Sequence, residues 1–196
     1  MKVKVKICGI RGLESAQAAI DGGADFIGLN FVPASKRYVD MIMAKQIVNF
    51  AKGKVALVGV FQNAPVEEVN KIAEELQLDF IQLHGMENNE YIKKMIKPVI
   101  KSVQENYPDK SFEAKYLLLD RIIQGKGDTV NLEVAKQIAN HYDIFFAGGL
   151  TSDNLVAIIT KVKPYAVDVA GGIETDNKED FNKIKQFIKN AKGVEI

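Results

Sequence analysis

The sequence predicts an α/β protein, a compact (β/α)8 TIM barrel, with residues 1–196 as a single domain. Short apolar segments alternate with segments that carry apolar residues at helical spacing, at roughly 25 residues per unit. Most of the strand segments are apolar throughout, as in a parallel sheet that is buried on both faces. Eight such units favour a closed barrel over an open doubly wound sheet, and no Gly-x-Gly-x-x-Gly motif follows the first strand.

Local signals place the strands. The first strand ends at Cys8 before Gly9, and the helix that follows stops at Gly22 and Gly23, since glycine readily ends a helix. Pro65 opens the third helix, with acids close behind that suit the helix dipole. We predict strands at residues 3–8, 25–31, 55–61, 79–83, 98–103, 116–119, 144–147 and 165–169.

The predicted helices fill the gaps between these strands. Ser152 or Asp153 is expected to cap the helix before the last strand, because short polar side chains satisfy the first backbone N–H groups. The segment 104–115 is short and polar, so we expect a short or irregular element after the fifth strand. We predict helices at residues 13–21, 40–52, 65–76, 88–96, 132–141, 153–163 and 178–192.

Composition and charge exclude several classes of protein. The net charge of +1 and the even spread of basic residues argue against binding to nucleic acid or to an anionic membrane. No apolar run approaches the ~18 residues of a membrane span, and no secretory segment begins the chain. A single cysteine cannot form an intramolecular disulfide, so we expect a cytoplasmic protein. The abundance of Asn and Gln weakly disfavours a hyperthermophilic source, which leaves a monomer as a simpler expectation than a homodimer.

Two glycine pairs predict a phosphate site. Gly148-Gly149 and Gly171-Gly172 follow the seventh and eighth strands, where barrels commonly bind phosphate through backbone N–H groups. Glycine allows the backbone to approach an anion closely. Residues 173–176 could form the short helix that often assists. Two tight turns are the alternative reading.

Cys8 and Asp120 could form a base and an acid. They end the first and sixth strands, so they would face each other across the barrel mouth, as proton-transfer isomerisation of a sugar requires. Cysteine can act as a base if its surroundings lower its pKa, and a carboxyl can act as an acid if burial raises its pKa. A small buried core side chain for Cys8, and a strand-end cap or an ion pair for Asp120, remain the alternatives.

Other polar side chains lie at the same strand ends. Arg37 could clamp a carboxylate, or it could be a solvated loop charge. Gln82 and His84 end the fourth strand, and His84 could bind the ligand or be structural. Asp168 is expected to point inward, where it would need a partner such as a ligand hydroxyl or a neighbouring backbone amide. No cluster has zinc-ligand spacing, so we predict no metal.

Several segments carry a family resemblance. They are residues 6–10, 24–25, 28–31, 35–39, 57–61, 63, 82–85, 117–120, 147–150, 167–169, 172 and 174. In this order along essentially the whole chain they resemble phosphoribosylanthranilate isomerases of tryptophan biosynthesis. The resemblance implies an eight-stranded barrel, no cofactor and a phosphorylated small-molecule substrate. It implies an Amadori rearrangement of N-(5-phosphoribosyl)anthranilate to 1-(2-carboxyphenylamino)-1-deoxyribulose 5-phosphate.

The same resemblance implies roles for single residues. Asp120 would protonate the ribose ring oxygen, and Cys8 would remove the C2 proton. Arg37 would hold the anthranilate carboxylate, and the two glycine loops would hold the phosphate. Gln82, His84 and Asp168 are then further substrate-binding residues.

The chain departs from the family pattern at two loops. Residues 121–130 replace the usual Gly-Gly-Ser-Gly-Lys-type loop, and Ala170-Gly171-Gly172 replaces Ser-Ser-Gly. Because this loop is altered, a second hypothesis is a catalytically silent barrel that binds a sugar phosphate. A sugar-phosphate epimerase or an indole-glycerol-phosphate synthase is another, but we find neither several strand-end histidines nor the lysine and glutamate that these would need.

Overall fold

The structure, a computed structural model, describes residues 2–103, 113–120 and 131–195. It contains a closed barrel of eight parallel strands in sequence order, which confirms the predicted fold class. The strands are β1 (Lys4–Cys8), β2 (Phe26–Asn30), β3 (Ala56–Phe61), β4 (Phe80–Leu83), β5 (Val99–Val103), β6 (Tyr116–Leu119), β7 (Ile144–Phe146) and β8 (Ala166–Val169).

Helices connect most of the strands on the outside of the barrel. They are α1 (Leu13–Gly22), α2 (Met41–Ala51), α3 (Val66–Glu75), α4 (Asn89–Ile92), α5 (Leu132–Ala139), α6 (Leu155–Val162) and α7 (Phe181–Lys192). The predicted element within residues 104–115 falls mostly outside the described residues, because the description stops at 103 and resumes at 113. None of the helices in the described part of the chain is long and apolar enough to cross a membrane.

The helix predicted at 88–96 is a single turn, α4. Asn88 caps its start by accepting a hydrogen bond from the Tyr91 backbone N–H. The Asn70 side chain then donates to the Lys94 carbonyl and accepts from the Ile96 N–H. These tertiary hydrogen bonds satisfy backbone groups that a longer helix would have paired internally.

The cap predicted for α6 is also wrong. The helix begins at Leu155 after Asn154, which makes no side-chain cap. Instead the Asn154 side chain accepts from the Thr151 N–H and donates to the Gly149 carbonyl. The residues before α6 therefore hold the glycine loop after β7 in place.

The segment after β8 differs from the helix predicted at residues 173–176. A short 3-10 helix covers Gly171–Ile173, and an antiparallel hairpin follows, formed by β9 (Glu174–Thr175) and β10 (Lys178–Glu179). Asp180 caps α7 by accepting hydrogen bonds from two backbone N–H groups. The last helix consequently begins at Phe181 rather than at residue 178.

Strand β1 places its polar side chains inside the barrel. Val5 and Ile7 are fully buried and belong to the apolar layer between the barrel and its helices. Side chains alternate along a strand, so Lys6 and Cys8 occupy the opposite face, toward the barrel axis. Lys6 lies in register with Asp168 of β8, and Cys8 lies in register with Gly28 of β2.

A separate apolar cluster fills the barrel below these polar residues. It includes Phe26, Tyr116 and Phe145, whose rings pack edge to face. Tyr165 stacks on Tyr116 with ring centroids 4.9 Å apart. This aromatic plug closes the lower part of the barrel and leaves Lys6, Gln82 and Asp168 on β1, β4 and β8 nearer the C-terminal mouth.

Candidate active site

A cavity of about 970 Å³ lies at the C-terminal mouth of the barrel. Every predicted site residue lines it: Cys8, Arg37, Gln82, His84, Asp120, Gly148, Gly149, Asp168, Gly171 and Gly172. They come together because the C-terminal ends of all eight strands meet at one rim. Their individual roles remain predictions.

Cys8 forms part of the cavity floor and is partly exposed. Gly28 on the neighbouring strand makes room for it, because a Cβ at residue 28 would lie 2.9 Å from Sγ and 3.2 Å from the Lys6 Nζ atom. Burial raises the pKa of the Cys8 thiol, and the nearby Asp168 carboxylate adds to this, while Lys6 and Arg37 oppose it. The surroundings thus do not lower the thiol pKa, contrary to the condition that sequence reasoning set for a cysteine base.

Lys6 and Asp168 form a buried ion pair beneath Cys8. The Lys6 Nζ atom lies 2.9 Å from Asp168 Oδ1, and the lysine side chain is 0% exposed. Burial lowers the pKa of Lys6, but Asp168 and Cys8 outweigh this and the net direction is upward. Burial raises the pKa of Asp168, which Lys6 partly offsets. The partner that sequence reasoning required for an inward Asp168 is therefore Lys6.

Asp120 is connected to β4 through His84. The His84 Nε2 atom lies 3.4 Å from Asp120 Oδ2, and the Gln82 Nε2 atom lies 3.2 Å from His84 Nδ1. If the Gln82 amide donates to Nδ1, the ring proton sits on Nε2 and points at Asp120. Within the described residues, the buried Gln82 Oε1 atom has no hydrogen-bond partner. A polar atom of this kind at a cavity wall favours a ligand hydroxyl or amine as its partner.

Arg37 is held at the rim by Glu174. Its Nε and Nη2 atoms donate to the two carboxylate oxygens at 2.7 and 2.8 Å. Burial opposes the charge on Glu174, but Arg37 outweighs this and lowers the pKa of that carboxyl. Gly9 admits the arginine chain, since a Cβ there would lie 2.5 Å from Arg37 Cδ. Arg37 is thus an oriented guanidinium rather than a solvated loop charge.

The two glycine loops approach each other closely. Gly148 and Gly149 have φ angles of 82° and 76°, which side-chain-bearing residues rarely adopt. A Cβ on Gly172 would lie 1.9 Å from the Leu150 carbonyl oxygen. The loops after β7 and β8 therefore pack backbone against backbone, and both line the cavity.

Sequence reasoning missed two residues of this site. Lys6 received no role, although its alternation with Cys8 along β1 was a sufficient signal that both share a face. Glu174 belongs to a segment that carried the resemblance, but nothing local indicated that it pairs with Arg37, 137 positions earlier. In the described residues, no group of three or more His, Cys, Asp or Glu side chains could hold a metal ion.

The sequence was also compared with models of known protein families. The sequence model for N-(5'-phosphoribosyl)anthranilate (PRA) isomerase matches residues 5–190. The chain belongs to this family. Curated N-(5'-phosphoribosyl)anthranilate isomerases of Bacillus mycoides and Oceanobacillus iheyensis are 41% and 38% identical to it, and the alignments cover 97% and 98% of the chain and 98% of each relative.

Solved structures of the family have the same fold. Phosphoribosylanthranilate isomerase from Thermotoga maritima superposes with a TM-score of 0.88 at 36% identity, over 98% of this chain and 100% of that one. A complex with reduced 1-(o-carboxyphenylamino)-1-deoxyribulose 5-phosphate gives 0.86 at 35% identity and the same coverage. A structure described as monomers generated from the dimeric Thermotoga maritima enzyme gives 0.85 at 35%, also with that coverage.

Proposed function

We propose that this protein catalyses the Amadori rearrangement of N-(5'-phosphoribosyl)anthranilate to 1-(2-carboxyphenylamino)-1-deoxyribulose 5-phosphate, a step of tryptophan biosynthesis. The observation that carries the proposal is the single cavity, which joins a thiol, a carboxyl, an oriented arginine and two glycine loops. The substrate carries a carboxylate, a ribose and a phosphate, and the cavity lining includes a candidate partner for each of them. Family membership supports the same reaction.

Asp120 acts first, as the general acid. Its proton passes to the ribose ring oxygen, the bond between C1 and that oxygen breaks, and the anilino nitrogen lone pair forms a C=N bond to C1. The product of this step is an open-chain Schiff base, and Asp120 becomes a carboxylate. The His84 Nε2 atom, 3.4 Å from Asp120, can then donate a hydrogen bond to the new charge.

Cys8 acts second, as the general base. Its thiolate removes the C2 proton, and the C–H electron pair moves toward the iminium nitrogen to give an enolamine. Ketonisation adds a proton at C1 and loses one from the C2 hydroxyl, which yields the ketose. One proton must return from the thiol to Asp120, through solvent, before the next turnover.

The remaining residues orient the substrate. Glu174 occupies the Nε–Nη2 edge of Arg37, and the Nη1 side of the guanidinium can face the anthranilate carboxylate. The loops at Gly148-Gly149 and Gly171-Gly172 bind the phosphate through backbone N–H groups. Gln82 and Asp168 face the ribose, where the unpaired Gln82 Oε1 accepts from a hydroxyl.

Turnover of substrate generated in situ, followed by loss of anthranilate fluorescence, tests the proposal. We expect Cys8→Ser and Asp120→Asn each to lower kcat by about 100-fold or more, the usual contribution of a general acid or base. Asp79→Asn is the matched control, because Asp79 lies at the opposite end of the barrel and binds the Leu57 backbone N–H. Full activity in both site variants would overturn the assigned roles. Phosphate binding without wild-type turnover would instead favour a silent barrel.

We also propose that the protein works as a cytoplasmic monomer. The single cysteine and the abundant amides support this assignment, whereas a dimeric homologue exists. Light scattering coupled to gel filtration measures the mass directly. We expect a value near 21.7 kDa, and twice that mass would refute the monomer.

A further inference from the structure

Lys6 lies beneath the cavity floor and does not reach the cavity. It is fully buried, and it does not line the cavity that Cys8 and Asp168 line. Its Nζ atom lies 2.9 Å from Asp168 Oδ1, and it shares the space beside Gly28 with the Cys8 sulfur, since a Cβ on Gly28 would lie 3.2 Å from Nζ and 2.9 Å from Sγ. An ammonium group has three N–H donors, so it can bind the carboxylate and the sulfur at the same time.

Three charged groups in the described part of the chain act on Cys8. Lys6 lies below it on β1, Asp168 lies beside it on β8, and Arg37 approaches from the loop after β2. The neighbouring position on β2 is Gly28, which has no side chain. His84 and Asp120 act on Asp168 in turn. Among these groups, Lys6 is the cation that lies next to Gly28 together with the sulfur.

A buried thiolate needs a compensating cation, because burial strongly disfavours an isolated charge. We propose that Lys6 is a positioning residue, whose ammonium group is held beneath Cys8 by Asp168 and serves as the counter-cation of the Cys8 thiolate. This role rests on the proposed function, in which Cys8 removes the C2 proton. Asp168 has two opposing effects, since it fixes the ammonium group but also places a negative charge near the thiolate.

The reaction of Cys8 with iodoacetamide, measured across pH by mass spectrometry, tests this role without any substrate. Cys8 is the only cysteine, so all alkylation reports this one thiol. Lys6→Met removes the cation, and we expect alkylation at a fixed pH below the midpoint to slow by about tenfold or more. Asp168→Asn removes the opposing charge, and we expect faster alkylation with a lower midpoint.

Lys101→Met is the matched control. Lys101 is also a buried lysine, and its Nζ atom lies 3.0 Å from Glu87 Oε2, but this pair does not line the cavity. We expect this variant to lose stability and to keep the wild-type alkylation midpoint. If Lys6→Met does not fold, as circular dichroism would show, Lys6→Gln removes the same charge and keeps a polar side chain: a raised midpoint in this variant supports the role of Lys6, and an unchanged midpoint overturns it.

An unchanged or lowered alkylation midpoint in folded Lys6→Met would overturn the role of Lys6. Either result would leave the turnover of the wild-type protein, and therefore the proposed function, intact. Conversely, full turnover by Cys8→Ser would overturn the proposed role of Cys8 as the base, while the alkylation shifts would persist. In folded Lys6→Met we expect kcat to fall and KM to change little, because Lys6 does not reach the cavity.

Discussion

The two ends of the barrel use polar side chains in opposite ways. At the N-terminal end, Asp25 accepts a hydrogen bond from the Val5 backbone N–H and binds the Lys4 and Lys192 ammonium groups. Asp79 repeats the pattern two strands further on, where it accepts from the Leu57 N–H. These carboxylates tie each strand to its neighbour, and their hydrogen bonds are made within the fold.

At the C-terminal end, several groups have energetic demands that the fold alone does not meet. Burial raises the pKa of Cys8 and of Asp168, and Gln82 Oε1 has no partner in the described part of the chain. Such features persist only where the surrounding structure tolerates the cost, as it does at functional sites. Substitutions at this end should therefore change catalysis more than stability, and those at the N-terminal end should do the reverse.

Gly172→Ala should raise KM more than the other Discussion substitutions do. The new Cβ would lie 1.9 Å from the Leu150 carbonyl oxygen, so the loops after β7 and β8 must separate. We expect KM to rise by about 100-fold, which corresponds to ~2.8 kcal/mol of lost binding. Steady-state kinetics measure KM, and competition by inorganic phosphate reports on the phosphate site.

Gly171→Ala is the control at the adjacent position. A Cβ there would meet only Arg37 Nη2, at an ordinary distance of 3.4 Å. We expect its KM to stay close to that of the wild type. If the two variants have the same KM, the close approach of the two loops does not form the phosphate site.

The barrel and the position of the site could be predicted from the sequence. Strand periodicity and glycine stops are local signals, and the convergence of strand ends follows from the fold. The sequence alone therefore predicts that Cys8 and Asp120 line one cavity. The alternation along β1 places Lys6 on the same face as Cys8, but no local signal shows that Asp168, 162 positions further along the chain, neutralises a lysine there.

Elements that depend on tertiary contacts could not be predicted. α4 ends early because the Asn70 side chain binds the backbone that follows it. α6 begins late because the Asn154 side chain donates to the Gly149 carbonyl instead of capping the helix. The Arg37–Glu174 pair joins a loop to a hairpin that the sequence pattern read as a helix. Local propensity carries no information about such partners. The altered loop at residues 121–130 lies outside the described residues, so the silent-barrel alternative that it raised stays a prediction.

Glu174→Gln should raise KM by less than Gly172→Ala does. The amide keeps one acceptor for Arg37 but loses the bidentate, charge-assisted geometry, so the guanidinium is less well oriented toward the anthranilate carboxylate. We expect KM to rise by about tenfold, or ~1.4 kcal/mol, with kcat nearly unchanged. Steady-state kinetics separate the two constants.

Glu179→Gln offers a control within the same hairpin. Glu179 also binds an arginine, because the Nε and Nη2 atoms of Arg11 both donate to its Oε2 atom, but Arg11 does not line the cavity. We expect this variant to lose some stability and to keep the wild-type KM. Equal KM values in the two variants would mean that Glu174 supports the hairpin rather than the orientation of Arg37.

Asp25→Asn should have the smallest effect on catalysis and a clear effect on stability. Burial opposes the charge on Asp25, but the hydrogen bonds from Lys192, Lys4 and Val5 outweigh it and lower the pKa of this carboxyl. Loss of these charge-assisted bonds should cost about 2 kcal/mol of unfolding free energy at neutral pH, measured by urea titration. We expect kcat/KM to stay unchanged.

The pH dependence gives this last prediction its sign. A carboxyl whose pKa is lower in the folded state contributes stability above its unfolded pKa, about 3.9 for Asp, and loses that contribution as the pH falls through the folded value. The wild type and Asp25→Asn should therefore differ most at neutral pH and converge in acid, below about pH 4. A difference in stability that persists unchanged into acid would show that the substitution acts through packing rather than through charge. A loss of kcat/KM at neutral pH would show that the N-terminal end of the barrel is not independent of the site.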